Sequence, residues 1–514
     1  MDDRTLTDSF VAILIVTLLS VIAYLRIAPG VGFDDANITM NYALNIANGD
    51  GYVYFVGGER VEGSTSALWT AINVVLAFTG QLEFGLAAIG FLIACATIYS
   101  CIRGARWLTG DFGWLPVLFC GMAVLAFPEL IVWQVWSYMD ISLWCLLLLW
   151  LALAVTGPVA GHAVTGPKAF QICILAALVV LTRPEGIGFV LVAAFTALVL
   201  GAEQRRSTWR ISLLLVFFGA LAFAGVTLAR LWYFDAPFPN TFYAKVSTSY
   251  AEQIKAGAGY VRQYLEESRY AVLIALAIGG LVVAGRNRIE LRSFAILAGA
   301  LFAGGTACYV LLGGDHFGSF RFMQFATPLL LVAAGSGLVV AFRQSDDLRV
   351  ALPVAIAGLG LLVAHSHADF QRFGGRIEGE LRRAEIGRAA GEALNDLPAG
   401  TSVSVSAAGG ISMTFDGPIY DLLGLNWREM AMSDRDAFRS KNHSGFSADV
   451  FFDAPIDVIV SFRECPNGSD PVYEWKDHYG DLMLRDAFQA EYAPICWRGY
   501  PLFVRKPLLA GLPN

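Results

Sequence analysis

The stretch Ala67-Leu-Trp-Thr-Ala-Ile-Asn-Val-Val-Leu-Ala-Phe-Thr-Gly80 decides how this chain is threaded. It is apolar, but its 14 residues fall short of the ~17–25 that a helix needs to cross a hydrocarbon core of ~30 Å. Counted as a crossing, it would reverse every later connection. Read as a helix lying against the membrane surface, it leaves about eleven long apolar runs, near 10–28, 84–102, 112–132, 140–156, 169–182, 187–201, 211–230, 270–285, 293–312, 323–342 and 350–365. The connections between runs favour the second reading. Arg103/Arg106, Lys168, Arg205/Arg206/Arg210, Arg286/Arg288/Arg292 and Arg343/Arg349 occupy alternate connections, and positive residues in short loops mark the cytoplasmic side. The N-terminus is therefore expected in the cytoplasm and the C-terminus outside.

Composition agrees. The chain has 514 residues, 56% hydrophobic and only 15% charged, where a soluble domain carries roughly 25% charged residues. The mean hydropathy is +0.57. A net charge of −7 without a basic stripe excludes nucleic acid as the expected partner. Met1-Asp-Asp-Arg4 leads into a full apolar run with no small-residue cleavage site, so that run reads as a membrane helix rather than a signal peptide. Six cysteines (95, 101, 120, 145, 173, 308) lie in or beside apolar runs and read as packing residues. Cys465 and Cys496 lie in the polar tail and are expected to pair there if the tail is extracytoplasmic. No Cys/His spacing suits zinc.

This threading gives residues 1–365 as an all-α polytopic membrane domain with a long first outer loop, 29–83. Residues 366–514 follow as a soluble extracytoplasmic domain. Residues 366–400 carry interleaved charges and read as helical. Short apolar segments at Ser402–Ser406, Pro418–Leu422, Val458–Phe462 and Leu502–Arg505 read as strands, so the tail is expected to be α/β.

Polar residues gather on the outer side. In the first outer loop, Asp34-Asp35 precede Ile38, Tyr42 and Ile46 at helical spacing, which puts two carboxylates at a helix start, where the macrodipole favours the ionised form. Such a carboxylate can take a proton from an acceptor hydroxyl; a helix cap with a solvated neighbour is the plainer alternative. The loop continues through Tyr52-Val-Tyr-Phe and Glu59-Arg60-Val-Glu62-Gly63, Gly-rich and aromatic, suited to a saccharide wall or to interfacial anchoring. Asp140 starts a span. Arg183 and Glu185 stand at a tight break between two spans. Asn240, Tyr243 and Lys245 follow an aromatic turn, and Asp315, His316 and Arg321 stand beside another span. Arg and Lys near a bilayer suit a lipid-linked phosphate.

The run Asp34-Asp35-Ala…Tyr42-Ala…Gly49…Gly51-Tyr-Val-Tyr…Gly58-Glu59-Arg60-Val-Glu62-Gly63-Ser-Thr-Ser…Leu68-Trp69 resembles the membrane glycosyltransferases of the GT-C fold, above all the mycobacterial terminal arabinofuranosyltransferases and their pilin-modifying relatives. Thr182–Gly186, Pro239–Lys245, Gly314–Phe322 and Asp421-Leu-Leu-Gly424-Leu-Asn426 resemble the same subgroup. The resemblance implies a multi-pass protein of the cytoplasmic membrane. It would use a polyprenyl-phosphate-linked sugar, D-arabinofuranose by analogy, to modify a glycan or glycoprotein acceptor on the outer side. Carried over by position, Asp34 would be the base and Asp35 its partner. Lys245, Arg183 and Arg321 would hold the leaving phosphate, with Glu59, Arg60, Glu62, Asp140, Glu185, Asn240, Tyr243, Asp315 and His316 around donor or acceptor. One departure stands out: where the subgroup has Gly-Leu-Glu-Thr, this chain has Met139-Asp140-Ile141-Ser142, an acid one methylene shorter. No cofactor is expected. A divalent metal is not favoured, because adjacent helix positions do not converge. Retention or inversion stays open.

Three other readings compete. A mannosyl- or hexosyltransferase of the same fold fits the same residues. A lipid or solute transporter would place ionisable residues in mid-span, where the runs carry few. A scaffold gives no reason for polar residues to gather on one side of six loops.

Overall fold

The computed structural model describes residues 3–25, 27, 30–111, 113–201, 205–245, 249–284, 288–344, 348–433, 446–460, 465 and 482–512. Arg286, Ser461, Phe462 and Asn514, which figured in the reading above, lie outside them.

The chain divides into two compact units, and the division differs from the boundary expected at 365/366. One unit comprises Met1–Ala28, Leu86–Val226 and Ile254–Glu378. The other comprises Pro29–Gly85, Thr227–Gln253 and Gly379–Asn514. The first outer loop and residues 227–253 thus belong with the C-terminal residues: the former shares a hydrophobic core with them, and the latter is tied in by hydrogen bonds such as Asn240 to Gly424.

The first unit is helical. Among the described residues six helices are long and apolar enough to cross a membrane: Asp3–Tyr24, Leu82–Thr109, Ile141–Val159, Arg206–Phe234, Ile289–Leu311 and Ala326–Arg343. A seventh crossing is available if Val117–Ala126 and Glu129–Trp136, bent by 81° at their break, act as one. Eleven crossings were expected. The other four runs lie in the helices Gly166–Thr182, Gly186–Leu200, Ser268–Ala284 and Leu348–Leu394. Ile141–Val159 and Ala326–Arg343 are apolar all round, so both are largely buried among their neighbours. Ala326–Arg343 packs closely on Ser268–Ala284 where Gly337 meets Gly280; a Cβ on Gly337 would lie 2.2 Å from the Gly280 Cα. Small residues allow helix backbones this approach.

Ion pairs tie together the connections expected on one face. Arg106 donates to Asp8 at 2.7 Å, Arg343 lies 3.1 Å from Asp111, and His162 lies 3.3 Å from Glu290.

The second unit is built on a sheet of order β2-β1-β3-β5-β4, with β1 Val403–Val405, β2 Ile419–Asp421, β3 Val458–Val460, β4 Tyr492–Trp497 and β5 Tyr500–Arg505. β1 runs parallel to β2 and β3. β5 runs antiparallel to β3 and β4. The strands expected from sequence are present, and β4 is an addition. Cys465 and Cys496 form a disulfide with Cα atoms 5.9 Å apart, and Cys496 lies in β4. The helix expected at 366–400 is the end of one continuous helix, Leu348–Leu394, in which the division between units falls.

Against this sheet lies the helix Asp34–Asn48, closed by Gly49 in the left-handed conformation at φ 91°. Ile38, Tyr42 and Tyr54 share one core with Leu394, Val403, Val405, Ile411, Ile419, Val458 and Val504. Ala67–Ala77 is an 11-residue helix capped by Ser66, about 16 Å long. That length is too short to cross, as its threading required.

Candidate active site

The expected site residues fall into two groups, one in each unit. In the sheet-bearing unit, Asp34 and Asp35 are the first residues of their helix rather than its cap, which is Phe33. Asp34 is buried. Its Oδ2 accepts the N–H of Gly409 at 2.9 Å and its Oδ1 the N–H of Gly410 at 2.8 Å. Burial pushes its carboxyl above the ordinary range, the two N–H groups pull it back, and the neighbouring Asp35 charge pushes it up again. Asp35 is half-buried. Helix geometry turns it about 100° from Asp34.

The remaining motif residues of this unit hold its three chain segments together. Glu62 is buried and receives two hydrogen bonds from Arg230, at 2.6 and 3.0 Å. Asn240 donates to the carbonyls of Gly424 and Leu425 at 2.7 and 3.1 Å, and its own N–H reaches the Glu62 carbonyl at 3.0 Å. Glu59 accepts the Arg428 N–H at 2.8 Å. Arg60 lies over the Tyr233 ring, 5.0 Å from its centroid. Tyr42 donates to Asn426 Oδ1 at 3.2 Å. A Cβ on Gly63 would lie 1.8 Å from that same oxygen, so any side chain there would have to displace the Asn426 amide. Asp421 ends β2 fully buried and accepts the N–H groups of Leu423 and Asn426 and the Asn426 side-chain amide, at 2.9–3.0 Å. Burial pushes its carboxyl up to about 6, against those three bonds, with the Asp34 charge adding to the rise. Tyr243 and Lys245 are half-buried. Among the described residues Lys245 makes no ion pair.

In the helical unit, Arg183 is buried and grips Asp140 with two bonds, 2.7 and 3.0 Å, while Glu185 stands 3.4 Å away. Arg321 grips Asp315 in the same way, 2.7 and 2.9 Å, with His316 at 3.5 Å from that carboxylate. The Phe322 ring joins the two pairs: the Arg183 and Arg321 guanidinium carbons lie 5.4 and 4.9 Å from its centroid. The structure therefore brings Asp140, Arg183, Glu185, Asp315, His316 and Arg321 into one cluster. Each arginine already faces a carboxylate in a planar two-bond pairing. Among the described residues no three His, Cys, Asp or Glu side chains gather as a metal set.

The sequence reading missed several residues. Glu129 is fully buried at the break of the bent pair and pairs with Arg269 at 3.0 Å. A carboxylate inside the apolar run 112–132 was its signal. Arg230 and Arg388 were also missed. Arg388 binds Asn37 Oδ1 through two N–H groups at 2.6 and 2.9 Å and Glu83 at 2.6 Å. Their partners are remote in sequence, and nothing local marks them.

Comparison with known proteins places this geometry in a fold. Residues 375–502 match a family described as a domain of unknown function, DUF8728. No curated protein matches in sequence. Among solved structures, ArnT from Cupriavidus metallidurans bound to undecaprenyl phosphate is similar at TM-score 0.55 and 13% identity, over 95% of this chain and 97% of that one. The same protein in its apo state aligns at TM-score 0.56 and 14% identity, over 98% of each chain. The archaeal oligosaccharyltransferase AglB from Archaeoglobus fulgidus, in complex with an inhibitory peptide and a dolichol-phosphate, aligns at TM-score 0.55 and 12% identity, over 98% of this chain and 74% of that one. At such identities the likeness establishes the fold, and over nearly its whole length this chain has the GT-C fold.

Proposed function

We propose that this chain is a glycosyltransferase that moves a sugar from a polyprenyl-phosphate donor to a hydroxyl of a glycan or glycoprotein, with D-arabinofuranose the sugar favoured by the motif resemblance. The observation that carries the reading is the acid pair Asp34–Asp35 at the head of an outer-loop helix, with Asp34 buried and fixed by two N–H groups. Two solved proteins of the same fold are in complex with polyprenyl phosphates, which supports a lipid-linked donor. The disulfide Cys465–Cys496 fits an oxidising compartment, and the alternating positive connections fit an inner-membrane protein with this unit outside.

In the reaction, the bond from the sugar's anomeric carbon to the phosphate oxygen breaks and the lipid phosphate leaves with the electron pair. The acceptor oxygen forms the new bond, and its proton passes to Asp34. Each Asp34 oxygen accepts one N–H and keeps a further lone pair. A base works best when its pKa lies near working pH, and burial moves Asp34 in that direction. Asp35 stands beside it as the second acid. Lys245 is the cation that faces the leaving phosphate, because Arg183 and Arg321 are each held by an aspartate.

The test is incubation of the purified protein with synthetic polyprenyl-phosphoryl pentose and hexose donors, read by mass spectrometry of the acceptor. Asp34→Asn should lower the rate by about 10²–10⁴-fold with donor binding retained, Asp35→Asn by less, and Lys245→Ala should weaken donor use. Transfer that survives both acid substitutions at the wild-type rate would refute the reading.

A further inference from the structure

The C-terminal sheet has the topology of a ligand-binding domain. β1 lies between two parallel neighbours, β2 on one side and β3 on the other. In such sheets the crevice beyond the carboxyl end of the strands, where the order reverses, is where ligands sit. The segment leaving β1 there is Ser406-Ala407-Ala408-Gly409-Gly410, a strand-to-helix turn with glycines where backbone N–H groups must come close to an anion. In this chain the anion is already present. It is the Asp34 carboxylate, which takes the N–H groups of Gly409 and Gly410, one on each oxygen. The approach is too close for a side chain: a Cβ on Gly409 would lie 1.7 Å from the Asp34 carbonyl oxygen, and one on Gly410 would lie 2.2 Å from that of Ala384. Adjacent bonds extend the seat. The Tyr54 hydroxyl donates to the Ala408 carbonyl, and Arg388 holds Asn37, one helical turn after Asp34.

We propose that the C-terminal sheet domain is the positioning device of the transfer site: its Gly409–Gly410 turn, at the switch point where a free-standing domain of this topology would bind a ligand, clamps Asp34 in the orientation needed to receive the acceptor proton. Gly409, Gly410 and Arg388 are positioning residues that act through Asp34, and the role rests on the transferase reading above. Two N–H bonds to a carboxylate favour its charged form. The clamp therefore fixes the direction of the base and opposes the rise that burial causes.

The experiment has two arms on the full chain. In the first, hydrogen exchange is followed in the peptides containing 34–48 and 406–413. Asp34→Ala should remove protection from the 406–413 peptide, and Gly409→Ala should do the same to the 34–48 peptide. This arm needs no activity, so it stands if the transferase reading fails; unchanged exchange in both peptides would overturn the clamp. In the second, the pH dependence of kcat/KM is measured. Gly409→Ala should raise the acid limb by about one pH unit, the order expected for losing a charge-assisted bond. A merely structural defect would lower the amplitude and leave the limb in place, and that result also overturns the proposal. Absence of transfer by the wild-type chain with every polyprenyl donor would count against the transferase reading and not against the clamp.

Discussion

Asp421 and the Glu62–Arg230 pair show how much of this molecule's polar chemistry is internal. Asp421 is held at about 6 by burial, against roughly 3.9 for a free carboxyl. The folded state then binds a proton more tightly than the unfolded state between those two values. Its contribution to stability should fall as pH rises from about 4 to about 6, and stay level above; Asp34 adds a slope of the same sign. Thermal unfolding followed across that window should show the decline, and Asp421→Asn should flatten it. The pair Glu62–Arg230 is 6% and 5% exposed. Removing one member of a buried pair typically costs about 3–5 kcal/mol, because the other charge stays behind unpaired. Arg230→Ala should lose stability on that scale in denaturant unfolding, and adding Glu62→Gln should recover part of it. At this scale the sequence revealed which residues are unusual but not whom they face. Glu62 read as part of a sugar-binding wall and Asn240 as a donor- or acceptor-binding residue, yet their partners are Arg230, Gly424 and Leu425, up to about 185 positions away.

Local signals did better for elements. Ile38, Tyr42 and Ile46 gave the helix Asp34–Asn48 through spacing, and the 14 apolar residues from Ala67 to Gly80 form an 11-residue helix, as short as expected. β4 escaped because it contains Pro494, which argues against a strand interior. The residue is accommodated because β4 is the sheet's last strand, where one side needs no N–H. The helices Gly166–Thr182 and Gly186–Leu200 lie where apolar runs were read, with 17 and 15 residues. The β4 edge is fastened by Cys465–Cys496, a bridge across 31 positions. Cys496→Ser should destabilise the sheet-bearing unit by about 2–4 kcal/mol, measured by unfolding with and without reductant, while the cysteines of the helical unit should show no such response.

For the whole molecule, the cut expected between residues 365 and 366 proved too simple. The sheet takes Ile38, Tyr42 and Tyr54 into its own core, so the C-terminal residues are not an independent domain. Residues 366–514 expressed alone should expose that apolar face, bind a hydrophobic dye and aggregate. A fragment that unfolds cooperatively and stays monomeric would contradict this. The threading makes a further prediction: a reporter that matures only outside the cytoplasm should be active when fused after Asn514, and cytoplasmic activity would overturn the orientation. Hydropathy and charge alternation made the membrane fold legible, because both act residue by residue. The interleaved second unit was not legible, because its cohesion depends on contacts between distant parts of the chain.

The bond between Asp34 and Gly409 links residues 375 positions apart, and this fixes a schedule for biogenesis. Ribosomes add about 5–20 residues per second, so the outer-loop helix emerges on the order of 20–75 s before its partner turn has been made. During that interval its apolar face and its acid pair have no seat, and a holding factor or the bilayer surface must shelter them. A nascent chain cut short anywhere before Gly409 never assembles the acid's seat, so under the proposed role incomplete products should show no transfer.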